Sequence, residues 1–276
     1  MSVPVLAVPA VSGGLFTLRR RPAVRILAAV WLAQVVGFAY LLSYVLYQTA
    51  GAESGNLLPS LLPARSADYI VGSLPLWGGP VLVILGALAS GTDFRTGSLV
   101  TLLPRFPDRT WFMLGRFAAL VAITAGYAVL TLVVTAASSF VISLMAGEPA
   151  HWPGPVAWLR GFAAVWLVMT AFAALGYSMG VVTRSLPAAI GIGLLWTPGA
   201  ENVLAMLAGA FEPLTPLRAA LLSPSAGSLA AAMTPEDGAP GVAAISSPAV
   251  AITVLACWIV IPLLVSLAVF RRRDVT

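Results

Sequence analysis

The residue types that carry most enzyme chemistry are scarce in this chain. It holds one His (His151), one Cys (Cys257) and no Lys, and its ten acidic residues are scattered over 276 positions. A disulfide within the chain needs two Cys and a zinc site needs three or four converging His, Cys or carboxylate ligands, so the first is excluded by count and the second lacks donors. Intramembrane catalysis calls for a His pair, a carboxylate dyad or a Ser-Lys arrangement, and the apolar segments carry none of these. Without Lys there is no phosphate-binding loop of the form GxxxxGK[ST], so no cofactor is assigned to this chain and any ATP must be bound by another. Three features keep functional interest: Glu201, between Pro198-Gly199 and Asn202 in one apolar segment; Gln34 in another; and a charged passage from Ser90 to Arg116. Cys257, in an apolar run, reads as a packing residue, and His151, beside Trp152 in a Pro/Gly-rich loop, as an interfacial one.

The surroundings of these residues are membrane-like. The chain is 59% hydrophobic and only 9% charged, with mean hydropathy +0.96, whereas a soluble globular chain carries roughly 25% charged residues. The net charge of +5 would suit a nucleic-acid binder only if it formed a basic stripe on a soluble domain, and no such domain is present. Nucleic acid is therefore not an expected partner. The composition predicts an all-α integral membrane protein forming a single transmembrane domain.

Six apolar segments are long enough to cross a bilayer: 26–47, 70–89, 117–145, 158–182, 186–211 and 249–270. The first amounts to roughly 33 Å of helix, slightly more than the hydrocarbon thickness. In the second, Pro75 and the run Gly78-Gly79-Pro80 predict a kink without a break. Residues 51–68 read as a loop. Residues 1–25 read as an inner-face element, with Ser12 to Arg21 lying on the membrane surface or forming a loose tail. Their basic cluster follows the apolar stretch, which is the wrong order for a secretory signal. Close spacings such as Gly176 to Gly180 and Gly191 to Gly193 permit tight helix packing without naming a dimer face.

Arginine placement orients the six segments. With an even number of crossings, one side holds both termini and the loops after the second and fourth segments. All the basic residues fall there except Arg65, Arg160 and Arg218. The positive-inside rule then puts both ends and the Ser90 to Arg116 passage in the cytoplasm, with anionic lipid headgroups as contacts.

Within that passage Gly91 is placed to cap the second span and Thr92 to start a new helix, with Asp93 in its first turn. On a helix over 93–103, Phe94, Gly97, Ser98 and Thr101 share a face and the leucines take the other, until Pro104 and Pro107 stop it. The alternative is an ordinary solvated loop.

The order of Asp93, Phe94, Gly97-Ser98, Leu102-Leu103, Pro107-Asp108-Arg109 and Arg116 resembles the first cytoplasmic loop of the type-2 ABC exporter permeases. Two positions depart from that pattern, since the acid is more usually Glu and the last basic residue Lys. The likeness extends to the six-span layout and to Leu217, Leu221, Leu222 and Pro224 before the last span, where Arg218 interrupts the family's leucine-proline stretch. It implies a permease subunit that moves a hydrophobic or amphipathic substrate (drug, peptide or lipid-like) out of a bacterial cell across the plasma membrane. Residues 90–116 would form a coupling helix docking on a separate ABC ATPase through Asp93, Phe94, Arg95, Gly97, Ser98, Thr101, Pro107 and Arg109, with ATP and Mg on that partner. A second permease subunit, identical or related, completes the assembly. Residues 212–248 would form short outer-leaflet helices, starting after Pro213 or Pro216 and after Pro224; a loop rich in Ala, Pro and Gly is the alternative.

Glu201 lies roughly 22 Å of rise into its segment. Either it lines a substrate path, with Asn202 beside it and Gln34 at similar depth, or the span ends early and leaves it among outer headgroups. If it is a coupling group, the chain is instead a secondary transporter or channel not driven by ATP.

Overall fold

The computed structural model describes residues 4–50, 57–95, 109–233 and 242–272, and among these it is helical with no strand. Helix α1 (Pro4–Arg20) precedes a first crossing made of α2 (Pro22–Gln34), a π-helical stretch (Val35–Leu42) and α3 (Ser43–Ala50). Short α4 (Leu57–Leu61) and a 3-10 turn lead to α5 (Ser66–Ser73), a second π stretch (Leu74–Gly78) and α6 (Gly79–Arg95). Then come α7 (Arg109–Ala146), α8 (Pro155–Thr183) and α9 (Leu186–Leu195). A third π stretch (Trp196–Ala200) joins α9 to α10 (Glu201–Ala210). The chain closes with α11 (Thr215–Ala220), α12 (Leu222–Met233) and α13 (Pro248–Arg272).

Among the described residues five helices are long and apolar enough to cross a membrane: Pro22–Thr49, Thr110–Ala146, Pro155–Thr183, Leu186–Ala210 and Pro248–Arg272. The remaining apolar segment contains the shorter helix Gly79–Gly91. It is prolonged toward Ser66 by α5 and the π stretch between them.

Helix α8 is the axis of the bundle. In its most apolar window 78% of residues are buried inside the chain, against 22% for the first crossing and 17% for Leu186–Ala210. The difference tells the outer helices from the one that the others enclose, although the first crossing is about as apolar as α8. Its closest neighbour is the α5–α6 segment, and glycine makes the approach possible. A Cβ on Gly86 would sit 1.9 Å from the Ala173 carbonyl oxygen, one on Gly176 2.0 Å from the Val83 carbonyl, and one on Gly161 2.8 Å from the Ala67 carbonyl. In a membrane no hydrophobic force distinguishes helix from lipid, so backbone-to-backbone packing of this kind is what holds helices together. The pairs Ala67/Gly161, Val83/Gly176 and Ser90/Gly180 rise together in number, so the two segments run parallel.

The first correction to the sequence reading follows from the same packing. Gly91 does not end the second segment, and Thr92 does not start a new helix, because α6 continues through both to Arg95. Gly91 is used for close approach: a Cβ there would lie 3.3 Å from Leu186 Cα. The expected helix over 93–103 thus has its first three residues in α6, and the rest lies outside the described residues. Helix α7 likewise begins at Arg109, eight residues before the expected start. The expected loop 51–68 holds α4 and the 3-10 turn, and α5 begins at Ser66. Within the expected N-terminal element 1–25, the helix runs over Pro4–Arg20, longer than the stretch from Ser12 to Arg21 read as lying on the surface, and it lies against α7, where Gly14 meets Ala119.

Proline explains two of the three π stretches. Pro75 and Pro198 lie inside them, where the missing N–H and the ring's clash with the preceding turn are absorbed by a widened turn. The first two stretches meet face to face, Phe38 stacking on Trp77 with ring centroids 4.6 Å apart. The Pro75 kink thus takes the form of a wide turn and leaves the helical path unbroken.

Several polar side chains buried in the bundle bond across helices. Helix α7 carries Thr124, Thr131, Thr135, Ser139 and Ser143 on one buried face, at spacings of seven and four. Thr124 and Thr170 hydroxyls are 3.0 Å apart, and Trp31 Nε1 donates to Thr131 Oγ1 at 2.8 Å. Tyr127 donates to the Val24 carbonyl, and Ser90 Oγ donates to the Tyr177 carbonyl at 2.8 Å. Each such bond contributes about 0.6 kcal/mol on average in a membrane protein.

Contacts near the helix ends sort the chain into two poles. At one, Arg21 donates to the Leu88 carbonyl at 2.8 Å, and Arg271 bonds Thr110 Oγ1 at 3.1 and 3.0 Å. At the other, Arg160 pairs with Asp68 at 2.9 Å. The first pole gathers the starts of α2 and α7 and the ends of α6 and α13.

Cys257 corrects the expectation of packing, since it is exposed on the outer side of α13. His151 is also exposed, and its neighbour Trp152 lies over Phe140 with ring centroids 6.1 Å apart.

Candidate functional site

An apolar cavity of about 680 Å³ lies between α7, α8, α12 and α13. Its walls include Val121, Ala164, Leu167, Leu229, Ile252 and Ile259. Along α8 it reaches from Arg160 to Thr170, roughly 15 Å, so it extends from the Arg160–Asp68 pole to about mid-helix. Small residues on α8 and α12 leave the space: Ala163, Ala164 and Ala232 line it where larger side chains would fill it.

The polar groups on this wall already have partners within the chain. Thr170 is bonded to Thr124, Trp166 Nε1 donates to the Val121 carbonyl at 3.0 Å, and Arg160 is engaged by both carboxylate oxygens of Asp68. A guest would therefore meet chiefly hydrocarbon and aromatic surface, with a guanidinium at one end. The cavity suits a hydrophobic or amphipathic molecule and offers no nucleophile or acid/base pair.

Glu201 does not stand at an early end of its span. The helical path from Leu186 to Ala210 is unbroken, so the span does not end early, and Glu201 is fully buried. Its Oε1 accepts from the Ser223 backbone N–H at 2.7 Å and its Oε2 from the Ser223 hydroxyl at 2.9 Å. Ser223 is the second residue of α12, so the carboxylate caps that helix from outside. It satisfies an N–H that the helix leaves unpaired and places negative charge at the positive end of the dipole. A charge at mid-membrane costs about 2.5–3.5 kcal/mol, and these bonds offset it.

Asn202, next in sequence, is exposed, and its amide donates to the Pro198 carbonyl at 3.0 Å. It lines a smaller cavity of about 240 Å³ with Arg218, Ser223 and Pro75. Gln34 lies on the first crossing with its Oε1 buried and unpartnered, and it lines neither cavity. Gln34, Glu201 and Asn202 therefore do not line one common cavity among the described residues.

Ser223 is the residue that the sequence reading missed. Its signal was present in the run Leu221-Leu222-Ser223-Pro224. A helix starting in an apolar segment must find an acceptor for its first N–H groups, and Glu201 is the carboxylate nearest in sequence within an apolar segment.

Of the expected docking residues, Asp93, Phe94 and Arg95 form the last turn of α6, and Arg109 opens α7. Gly97, Ser98, Thr101 and Pro107 lie outside the described residues. Arg116, expected near the interface, is buried with its guanidinium 5.5 Å from the Phe112 ring centre. Helices α11 and α12 fall where two short helices were expected, with Pro216 in the first turn of α11, while Pro224 is the third residue of α12. Among the described residues no three His, Cys, Asp or Glu side chains converge. Compared with protein-family models and with curated proteins, the sequence matches none.

Proposed function

We propose that this chain is the permease subunit of an ATP-driven exporter resembling the type-2 ABC class. In this reading it sits in a bacterial plasma membrane with both termini cytoplasmic. It pairs with a second permease subunit and takes its energy from a separate ATPase that docks on residues 90–116. The observation that carries the proposal is the cavity between α7, α8, α12 and α13, large, apolar and with its polar groups bonded elsewhere. It fits passage of a hydrophobic or amphipathic substrate and not a reaction upon one.

A sixth crossing is part of the proposal. Residues 67 to 90 follow α8 from one pole to the other, roughly 35 Å, which matches a bilayer's hydrocarbon thickness. Parallel α6 and α8 are what an alternating six-span order requires for the second and fourth spans. The gathering of the α6 end, α7 start and α13 end at one pole agrees with that order. A proton-coupled carrier is less favoured, because Glu201 is engaged as a helix cap.

Two results would test this directly. Phe94→Ala should reduce the ATPase recovered with the tagged permease about tenfold, the scale of a lost docking anchor, with membrane insertion unchanged. Undiminished recovery removes Phe94 from the docking face, and failure of the unmodified permease to bring down any ATPase removes the whole reading. Separately, Ala232→Trp should fill the cavity from an exposed position and slow ATP-dependent export about tenfold with ATPase recovery intact. Export at the original rate would show that substrate travels elsewhere.

A further inference from the structure

A second cleft, of about 1170 Å³, opens between α1, α2 and α7 at the pole where Arg21 meets α6. Its composition differs from that of the apolar cavity. Three guanidinium groups, Arg19, Arg20 and Arg25, stand along one end. Arg20 lies over the Phe16 ring at 4.3 Å, and Arg25 reaches the Arg20 carbonyl at 3.4 Å. Among the described residues no carboxylate pairs with any of the three.

Beyond the arginines the cleft is apolar. Val24 and Ala28 form one wall and Ala122, Ile123 and Leu130 the other. Tyr127 also lines it, but its hydroxyl donates to the Val24 carbonyl and so turns the ring's apolar edge to the cleft. Gly126 hollows the floor, since a Cβ there would meet no atom within 4 Å. The apolar part extends from Ala122 to Leu130 along α7, roughly 12 Å, about the length of half an acyl chain.

We propose that this cleft is a binding site for an anionic diacyl phospholipid, with the phosphate held by Arg19, Arg20 and Arg25 and one acyl chain lying over Gly126. Charge complementarity selects this occupant: three cations with no carboxylate partner among the described residues, beside an apolar trough, match a molecule that is anionic at one end and hydrocarbon along the other. A free phosphate would leave the trough unused, and a neutral lipid would leave the arginines unpaired. The site also gives α1 a function, because it closes the cleft against α7 and carries two of the three arginines. The inference depends on the chain being membrane-embedded and not on its working with an ATPase.

The test uses the full-length protein purified from membranes and exchanged into micelles holding equal phosphatidylglycerol and phosphatidylcholine, with retained lipid counted by native mass spectrometry. The unmodified protein should retain phosphatidylglycerol in clear excess. The triple variant R19Q/R20Q/R25Q should lower that retention about tenfold, to the phosphatidylcholine level, whereas the corresponding triple Lys variant should preserve most of it. Gly126→Leu, which projects into open space and keeps all three arginines, should lower retention of both lipids. Arg272→Gln, an exposed change at the same pole, should alter neither. Glycerol 3-phosphate should not displace the bound lipid; displacement at concentrations equal to the lipid would mark a simple anion site and overturn the proposal. Phosphatidylglycerol retained equally by the triple Gln and unmodified proteins would overturn it as well, as would a Gly126→Leu protein that retains both lipids normally.

Discussion

Gly86→Val should destabilise the protein by about 3 kcal/mol or more, read as a fall of roughly 6–12 °C in thermal midpoint in detergent. The cause is the position of the new Cβ, which would lie 1.9 Å from the Ala173 carbonyl oxygen and 2.7 Å from the Tyr177 nitrogen. Both are backbone atoms of the buried central helix, so no side chain can rotate away to make room. The helices would have to separate, exposing the seam of Gly86, Gly176 and Gly180 and lengthening the Ser90 bond to the Tyr177 carbonyl. Gly191→Ala provides the contrast. Gly191 is exposed in a helix with open space around its Cβ position, and Ala there should stabilise by up to about 1 kcal/mol through helix propensity alone. A Gly86→Val protein that melts with the unmodified one would show that α6 and α8 are not packed this closely.

The second large effect is expected at Glu201. Glu201→Ala removes the acceptor for two donors of Ser223 and leaves both buried, at a cost of about 1–3 kcal/mol for each. The loss should be local, because Glu201 ties α10 to α12 and not to the bundle axis. Hydrogen exchange followed by mass spectrometry should therefore accelerate over Leu222–Met233 and remain unchanged in α8. Ser223→Ala removes the hydroxyl bond but keeps the backbone one, so its effect should be smaller. Asn202→Ala, one residue away but exposed, should leave exchange in α12 as it was. Unaltered exchange in the Glu201→Ala protein would rule out the cap.

What was legible in the sequence follows from which physical signal each feature leaves. Six apolar segments stand out because lipid and protein interior both demand apolar side chains. For the same reason hydropathy could not single out the mostly buried α8 from Pro22–Thr49, which is at least as apolar yet little buried within the chain. Gly91 was read through local capping rules, but its use is tertiary, against Leu186, and that contact leaves no local trace. Glu201 drew attention as a costly charge, yet its partner lies 22 residues away, and the start of α12 that marks Ser223 was read from Pro224 onward. The threonines and serines on α7 mark its inward face, and they were missed in the sequence although their spacing forms a regular polar stripe on an apolar helix. The π stretches were legible only in part, because Pro75 and Pro198 announce a disturbance without saying which kind.

Cys257 has a practical consequence. As the chain's single thiol, exposed on the outer side of α13, it can take one nitroxide reporter per subunit without any engineered substitution. If two identical copies pair, as the proposed function allows, the labelled assembly contains one pair of spins, so its dipolar spectrum reduces to a single distance. That distance would report directly on how two copies of the last helix stand relative to one another.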